Sequence, residues 1–215
     1  MSIILCTQHK GGVGKTTLSV HLAGVLSSRL GRVLLIDCDT QGNSWHFYFK
    51  ERVTKHLSIK DYNSRLSLLW NPKRSQIKKV ADLQTYDHIL LDMTTPLPET
   101  VKTILDNNPD KIYIPVTKHP FALNGLIDTV VAISKLEKMF QYSPKVVIVP
   151  LGSYKNTIDT KIQDNIASLP SKYTMAGRMK DLNREFNQAL KDGQFIWNYD
   201  GQEELKQYFN NLLSL

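Results

Sequence analysis

Hydrophobic positions along the chain fall into short apolar runs separated by longer stretches with helical spacing. Five runs are rich in Val, Ile and Leu at nearly every position: Ser2–Cys6, Val33–Asp37, His88–Asp92, Lys111–Pro115 and Lys145–Pro150. Runs of this kind are typical of strands buried on both faces of a parallel sheet. Apolar residues at helical spacing predict helices over Thr16–Leu30, Pro98–Asn107, Ala122–Phe140 and Thr157–Leu169.

This alternation of strands and helices predicts a doubly wound α/β fold, with one mainly parallel sheet and helices on both faces. No repeat or linker interrupts it, so we expect residues 1–215 to form a single domain. The chain has no apolar run long enough to span a membrane and no signal-peptide pattern at its start, which favours a cytoplasmic protein. Cys6 and Cys38 lie within apolar runs and are expected to be buried thiols.

A glycine-rich segment follows the first predicted strand and precedes the first predicted helix. It reads Lys10-Gly11-Gly12-Val13-Gly14-Lys15-Thr16-Thr17. Its glycines allow backbone N–H groups to converge on a polyphosphate, and the following helix directs its N-terminal dipole to the same place. The Lys15 ammonium suits the β- and γ-phosphates, and the Thr16 hydroxyl suits Mg²⁺. The segment predicts a phosphate-binding loop, although His9 stands where the strict motif begins with glycine.

Aspartates end two other predicted strands. Asp37 and Asp39 close the second strand, and Asp92 closes the third, which has the shape of a Walker B element. Because the carboxyl ends of parallel strands meet at one edge of the sheet, we expect these carboxylates near the phosphate loop. One of them would hold the metal while another orients the attacking water. The loop Met93–Pro96 is expected to respond to the γ-phosphate.

The formal net charge is +7, and most of it lies in one segment. Nine basic and three acidic residues between Ser44 and Asp82 give that stretch a charge of +6. Such a segment is expected of a polyanion-binding surface and equally of an ordinary solvated surface. Four aromatic residues lie within it: Trp45, Phe47, Tyr48 and Phe49. Packing in the core is the favoured role of these rings, with stacking on bases as the alternative.

The glycine-rich segment resembles the deviant Walker A motif of the ParA/MinD family of ATPases, which carries an additional signature lysine. The stretch Asp37–Asn43 resembles that family's switch I, with Thr40 where proline is usual. Two further stretches resemble its fourth strand and the helix that follows: Ile114–Thr117 and Ala122–Leu126. Pro150 stands where many relatives have an asparagine that recognises adenine, so the base contacts stay unassigned. The chain looks most similar to small ParA-type partition ATPases without an N-terminal helix-turn-helix.

The resemblance implies an ATP hydrolase, weak alone and stimulated by a partner protein, that forms a sandwich homodimer on ATP. It implies that Lys10 is the signature lysine and Lys15 the phosphate-loop lysine, and that Asp39 positions the attacking water. Thr16 would bind Mg²⁺, with Asp37 and Asp92 supporting the metal site. The implied ATP-binding set is Lys10, Gly11, Gly12, Val13, Gly14, Lys15, Thr16 and Thr17.

The last predicted helix, Glu203–Leu215, carries one cation, Lys206, so it favours docking on the core over binding a membrane.

The favoured function is a ParA-like ATPase that binds DNA non-specifically. With a ParB-like adaptor, it would partition or position a plasmid, chromosome or other large cargo over the nucleoid. Candidate DNA contacts are Lys50, Arg52, Lys55, Lys73, Arg74, Lys78, Lys79, Arg178, Lys180 and Arg184. The alternatives are a MinD-like membrane-associated positioning ATPase and a P-loop kinase or synthetase that acts on a small molecule.

Overall fold

The computed structural model describes residues 1–29, 31–79, 81–93, 96–152, 155–165, 167 and 169–215. The strands are β1 (Ser2–Thr7), β2 (Val33–Asp37), β3 (Ile59–Asn63), β4 (Leu66–Trp70), β5 (His88–Met93), β6 (Lys111–Val116), β7 (Lys145–Pro150) and β8 (Tyr173–Met175). The α-helices are α1 (Lys15–Ser28), α2 (Asn43–Phe49), α3 (Leu97–Asn107), α4 (Pro120–Phe140), α5 (Lys155–Gln163), α6 (Asn183–Asp192) and α7 (Glu204–Ser214).

The eight strands form one sheet in the order β3-β4-β2-β5-β1-β6-β7-β8. The edge strand β3 runs antiparallel to β4, and the remaining neighbours pair in parallel. The predicted doubly wound, mainly parallel fold is therefore confirmed. In the register of β2 with β5, Asp37 lies opposite Asp92, so the two carboxylates end adjacent strands at the same level.

The five predicted strands are present, each within one residue of its predicted end. The helix predicted over Ala122–Phe140 begins earlier, at Pro120, because proline is well tolerated in the first turn of a helix. The helix predicted over Thr157–Leu169 was placed too late, since α5 spans Lys155–Gln163. Ile166 and Ser168 of that prediction, like Leu30 and the loop residues Thr94 and Thr95, lie outside the described residues.

Helices cover both faces of the sheet and enclose two apolar cores. On one face, α1, α2, α6 and α7 contribute to the first core. On the other face, α3, α4 and α5 contribute to the second core. Cys6 and Cys38 are buried free thiols, as predicted.

The aromatic side chains of α2 belong to the first core. Trp45, Phe47 and Tyr48 are buried there, and Phe49 packs against the core from its edge. Core packing is therefore the role that the structure assigns to these rings.

Helix α7 packs along α1, with its apolar side chains in the same core. Leu205, Phe209 and Leu212 are buried, so the helix docks on the core, as its sequence predicts. Within the described ranges, no helix combines the length and the apolar composition needed to cross a membrane.

Candidate functional site

The glycine-rich loop connects β1 to α1 at the carboxyl edge of the sheet. Gly12 and Gly14 adopt φ values of 72° and 91°, a region that residues with a side chain rarely enter. Gly14 is the residue before α1, and a side chain there would also clash with Leu151. A Cβ at Gly11 or Gly12 would meet open space. The backbone of the loop is therefore exposed on the side where a phosphate chain would lie.

A cavity of about 360 Å³ opens beside this loop. Its first group of lining residues consists of Gly11–Thr17 together with Asp39 and Asn43. Its second group comes from distant parts of the chain and is Thr117, Leu151, Met179, Lys180, Leu182, Asn183, Phe186, Asn187 and Leu190. The volume falls within the range of small-molecule sites. The lining combines a polar end suited to phosphates with an apolar group suited to a flat ring.

Lys15 lies inside the loop, with 3% of its surface exposed. Its Nζ donates a hydrogen bond of 2.6 Å to the backbone carbonyl of Lys10. Burial lowers the pKa of Lys15 to about 8, although the charges of Asp92 and Asp39 act in the opposite direction. A phosphate bound in the loop would favour the charged ammonium that burial disfavours.

Asp37 and Asp92 are both fully buried. The Asp37 carboxylate accepts hydrogen bonds of 3.0 Å from the backbone N–H groups of Asp39 and Trp45. Asp92 accepts hydrogen bonds from the hydroxyls of Ser19, at 3.1 Å, and Ser44, at 2.6 Å. Burial raises the pKa of both carboxyls, and the charge of Asp92 raises that of Asp37 further. A cation beside them would oppose both shifts, because it stabilises the charged carboxylates.

The donor set fits Mg²⁺ held together with a nucleotide. Within the part of the chain that the structure describes, no three His, Cys, Asp or Glu side chains form a metal-binding group. Mg²⁺ in phosphate-loop proteins takes its ligands mainly from one hydroxyl, phosphate oxygens and water. The Thr16 hydroxyl acts on the Asp92 carboxyl and opposes the rise in its pKa. Thr16 would hold the ion directly, and Asp92 and Asp37 would support it.

Asp39 lines the cavity and is half-buried. Its Oδ1 accepts a hydrogen bond of 2.9 Å from the backbone N–H of Gln41. Its carbonyl accepts one of 2.8 Å from the indole N–H of Trp70 on β4. These contacts fix the backbone around a carboxylate that still faces the cavity.

Lys10 is exposed and lies beside the cavity, and it is not among the described residues that line it. Its Nζ is 5.0 Å from the ring centre of Phe121, which is 62% exposed. Just before Lys10, the buried Gln8 donates hydrogen bonds to the carbonyls of Pro115 and Ala122. Gln8 thereby joins the phosphate loop to the start of α4.

The ten candidate DNA contacts do not form one continuous patch. All except the half-buried Arg74 are exposed. Lys50, Arg52 and Lys55 follow α2, which packs on the first core, whereas Lys78 and Lys79 follow Ile77, which packs on the second. The basic segment therefore wraps around the β3–β4 edge of the sheet.

Several of these cations already have partners within the chain. The Nζ of Lys50 donates to the carbonyl of Lys191 at 3.1 Å. Arg74 lies 3.7 Å from Glu99, and Lys180 lies 3.4 Å from Glu204. Arg178 and Lys180 follow β8, Arg184 lies on α6, and Lys73 follows β4. Lys180 also lines the cavity, a position that its sequence context did not indicate.

Sequence reasoning missed the second group of lining residues and the hydroxyls of Ser19 and Ser44. The second group lies at least 100 positions after the phosphate loop and has no local motif. A signal for Ser44 was available, because it directly follows the switch I stretch Asp37–Asn43.

Residues 4–212 match the model of the CobQ/CobB/MinD/ParA nucleotide binding domain. The maintenance of carboxysome distribution protein A of Gloeobacter kilaueensis is 31% identical over 129 residues, 60% of this chain and 55% of that protein. The matched region thus spans about half of this curated relative's length.

Two solved structures share the fold. The ATP complex of Cyanothece McdA has a TM-score of 0.77 at 20% identity and covers 100% of this chain and 95% of that one. The MinD cell division protein of Aquifex aeolicus has a TM-score of 0.68 at 18% identity and covers 100% and 98%. With nearly the whole chain matched to the family model, the protein belongs to the CobQ/CobB/MinD/ParA family of nucleotide-binding P-loop proteins.

Proposed function

We propose that residues 1–215 act as one ParA-type ATPase unit, which hydrolyses ATP, forms an ATP-sandwich dimer and binds DNA non-specifically. One observation carries the proposal: Lys15, Thr16 and Asp39 line a single cavity, while Lys10 of the same loop lies on the outer surface beside it. Such a site would bind the nucleotide of its own chain and present Lys10 to the nucleotide of a second copy.

The loop N–H groups and Lys15 would bind the β- and γ-phosphates, and Asp39 would orient a water molecule for attack on the γ-phosphorus. The new bond from the water oxygen replaces the bond to the β–γ bridging oxygen, which gives ADP and phosphate. When bound, Mg²⁺ supplies positive charge to the phosphate oxygens as negative charge builds on the leaving group. Thr16 would hold it directly, with Asp37 and Asp92 in support.

The second group of lining residues would bind the nucleobase. Leu151, Met179 and Phe186 offer apolar surfaces to the faces of the base. The side-chain amides of Asn183 and Asn187 offer donors and acceptors to its edge. The sequence alone left the base contacts unassigned, because Pro150 stands where many relatives have an asparagine. The second group of lining residues would supply those contacts.

Lys10 would neutralise charge on the nucleotide of a second copy, as an arginine finger does. Its position outside its own cavity agrees with weak hydrolysis by a single chain.

A ParB-like adaptor would stimulate hydrolysis in the dimer, and the ATP dimer would reside in the cytoplasm on the nucleoid. A role in placing a large cargo, whether plasmid, chromosome or protein assembly, is supported by relatives named for carboxysome distribution and chromosome partitioning.

Non-specific DNA binding is supported by the net charge of +7 and by the exposed cations around the β3–β4 edge. A MinD-like membrane role is less well supported, because α7 buries its apolar face on the core.

The test is binding to random-sequence duplex DNA with ATP, ADP or no nucleotide, at two salt concentrations, for the wild type and Lys10→Ala. We expect binding that requires ATP, weakens steeply with salt and is lost in Lys10→Ala. Absence of DNA binding in every nucleotide state contradicts the DNA role. ATP-dependent co-sedimentation with anionic liposomes would then support the membrane alternative.

A further inference from the structure

Ser44 makes the shortest of the described hydrogen bonds to the Asp92 carboxylate. Its hydroxyl donates to Oδ2 of Asp92 at 2.6 Å, and the serine is fully buried. The other oxygen, Oδ1, accepts from Ser19 of α1 at 3.1 Å. Asp92 is therefore held from two helices at once, α1 on the phosphate side and α2 on the switch side.

The next residue on α2 contacts the other buried carboxylate. The backbone N–H of Trp45 donates to Oδ2 of Asp37 at 3.0 Å. Ser44 and Trp45 both lie in the first turn of α2, whose N-cap is Gly42 in the left-handed conformation. The first turn of this helix thus contacts the ends of both β2 and β5.

The remainder of α2 connects this turn to the C-terminal part of the chain. The Phe47 ring lies 5.5 Å from that of Phe195, and the C-cap residue Lys50 donates to the Lys191 carbonyl. Helix α2 is thus held at its first turn by the two buried carboxylates and at its C-terminal end by the Lys191 carbonyl.

We propose that Ser44 is a positioning residue for the metal–nucleotide site, which orients Asp92 toward the ion from the first turn of α2. The proposal rests on the proposed function, because it requires Mg²⁺ and a nucleotide in the cavity. Hydroxyls that orient groups around a metal typically contribute tenfold or more to metal affinity without contacting the metal.

The test measures binding of a fluorescent ATP analogue in EDTA and as a function of Mg²⁺ concentration. The variants are Ser44→Ala, which removes the hydroxyl, and Ser44→Cys, which keeps the volume but donates only weakly. The matched control is Ser67→Ala, which removes another buried hydroxyl that donates to an aspartate, Asp61, at the β3–β4 hairpin. Thermal unfolding checks that each variant is folded.

We expect both Ser44 variants to bind the analogue in EDTA within about twofold of the wild type. The Mg²⁺ concentration for half-maximal enhancement should rise about tenfold in both variants and stay unchanged in Ser67→Ala. Wild-type behaviour of Ser44→Cys would overturn the proposal, because packing alone would then explain the alanine variant. An equal loss of binding with and without Mg²⁺ would overturn it too. If the wild type itself binds no ATP analogue, the proposed function fails, which is a different result.

Discussion

The Nζ of Lys10 lies 5.0 Å from the ring centre of Phe121, while the Nζ of Lys15 lies 2.6 Å from the carbonyl oxygen of Lys10. The two lysines of the phosphate loop therefore point to different places. Lys10 lies on the outer surface, and Lys15 lies inside the loop. Their burial differs in the same way, because Lys10 is exposed and Lys15 is buried. We expect the two side chains to contribute to different steps.

Substitution of the two lysines should separate nucleotide binding from association. Lys15→Ala removes the cation inside the phosphate loop, so we expect ATP affinity to fall by about 100-fold. Lys10→Ala should leave the ATP affinity of the monomer within about twofold. Isothermal titration calorimetry at low protein concentration measures the ATP affinities of both variants. Equal losses in the two variants would show that Lys10 binds the nucleotide of its own chain.

Nucleotide binding should be accompanied by proton uptake at pH 8. Because burial lowers the pKa of Lys15 to about 8, roughly half of these side chains are neutral at that pH. A bound polyphosphate favours the ammonium, so we expect the wild type to take up about half a proton per site more than Lys15→Arg does. Titration calorimetry in EDTA, in buffers of different ionisation enthalpy, measures it. Lys15→Arg is the control, since arginine keeps its charge. Identical binding enthalpies for the wild type in all buffers would rule out the shift.

The buried carboxylates should reduce the stability of the nucleotide-free protein as the pH rises. The folded state raises the pKa of Asp37 from 3.8 to about 8 and also raises that of Asp92. Between about pH 4 and pH 8 the folded state therefore holds protons that the unfolded state releases, and stability falls through that window. Asp92→Asn removes one buried charge and should raise the free energy of unfolding at pH 8 by about 1–2 kcal/mol, with a smaller gain at pH 5.

Urea denaturation at the two pH values measures this difference. Asp106→Asn is a control of opposite sign, because the hydrogen bond from Lys102 lowers the pKa of Asp106. That substitution should not stabilise the protein at pH 8. Destabilisation of Asp92→Asn by the same amount at both pH values would instead assign Asp92 a packing role.

Lys180 should contribute to nucleotide binding as well as to any DNA surface. It lines the cavity, whereas Lys78 is an exposed residue of the short helical turn Ile77–Lys79, away from that lining. We expect Lys180→Ala to weaken ATP binding three- to tenfold and Lys78→Ala to leave it unchanged. Equilibrium binding of a fluorescent nucleotide measures the two affinities. Equal affinities in both variants would exclude Lys180 from the nucleotide site.

Five strands could be predicted from the sequence because burial on both faces makes nearly every residue of such a strand apolar. The buried strand β4 was not predicted, since Ser67 interrupts its short apolar run. The same rule fails at the edges of the sheet. All five residues of β3 are exposed, and β8 has only three residues, so neither produces an apolar run. Helix α6 buries only Phe186 and Ala189, which is too few positions for a clear helical period.

The phosphate end of the site could be predicted because its residues lie within local motifs at the ends of β1, β2 and β5. Their catalytic and metal-binding roles stay predictions. The apolar end of the cavity is assembled from residues such as Leu151 and Met179, which only the fold brings to the loop. Likewise, the +6 charge of the Ser44–Asp82 segment predicted a patch, but the path of the chain around the sheet edge divides it.

The most direct test of the central claim is the mass of the protein in solution with ATP and Mg²⁺. Asp39→Ala should slow hydrolysis and so preserve the ATP state, and we predict that this variant sediments with twice the mass of one chain. The double variant Lys10→Ala, Asp39→Ala should stay at the mass of one chain, as should Asp39→Ala with ADP. A single-chain mass for Asp39→Ala with saturating ATP, or a dimer that persists without Lys10, would contradict the account.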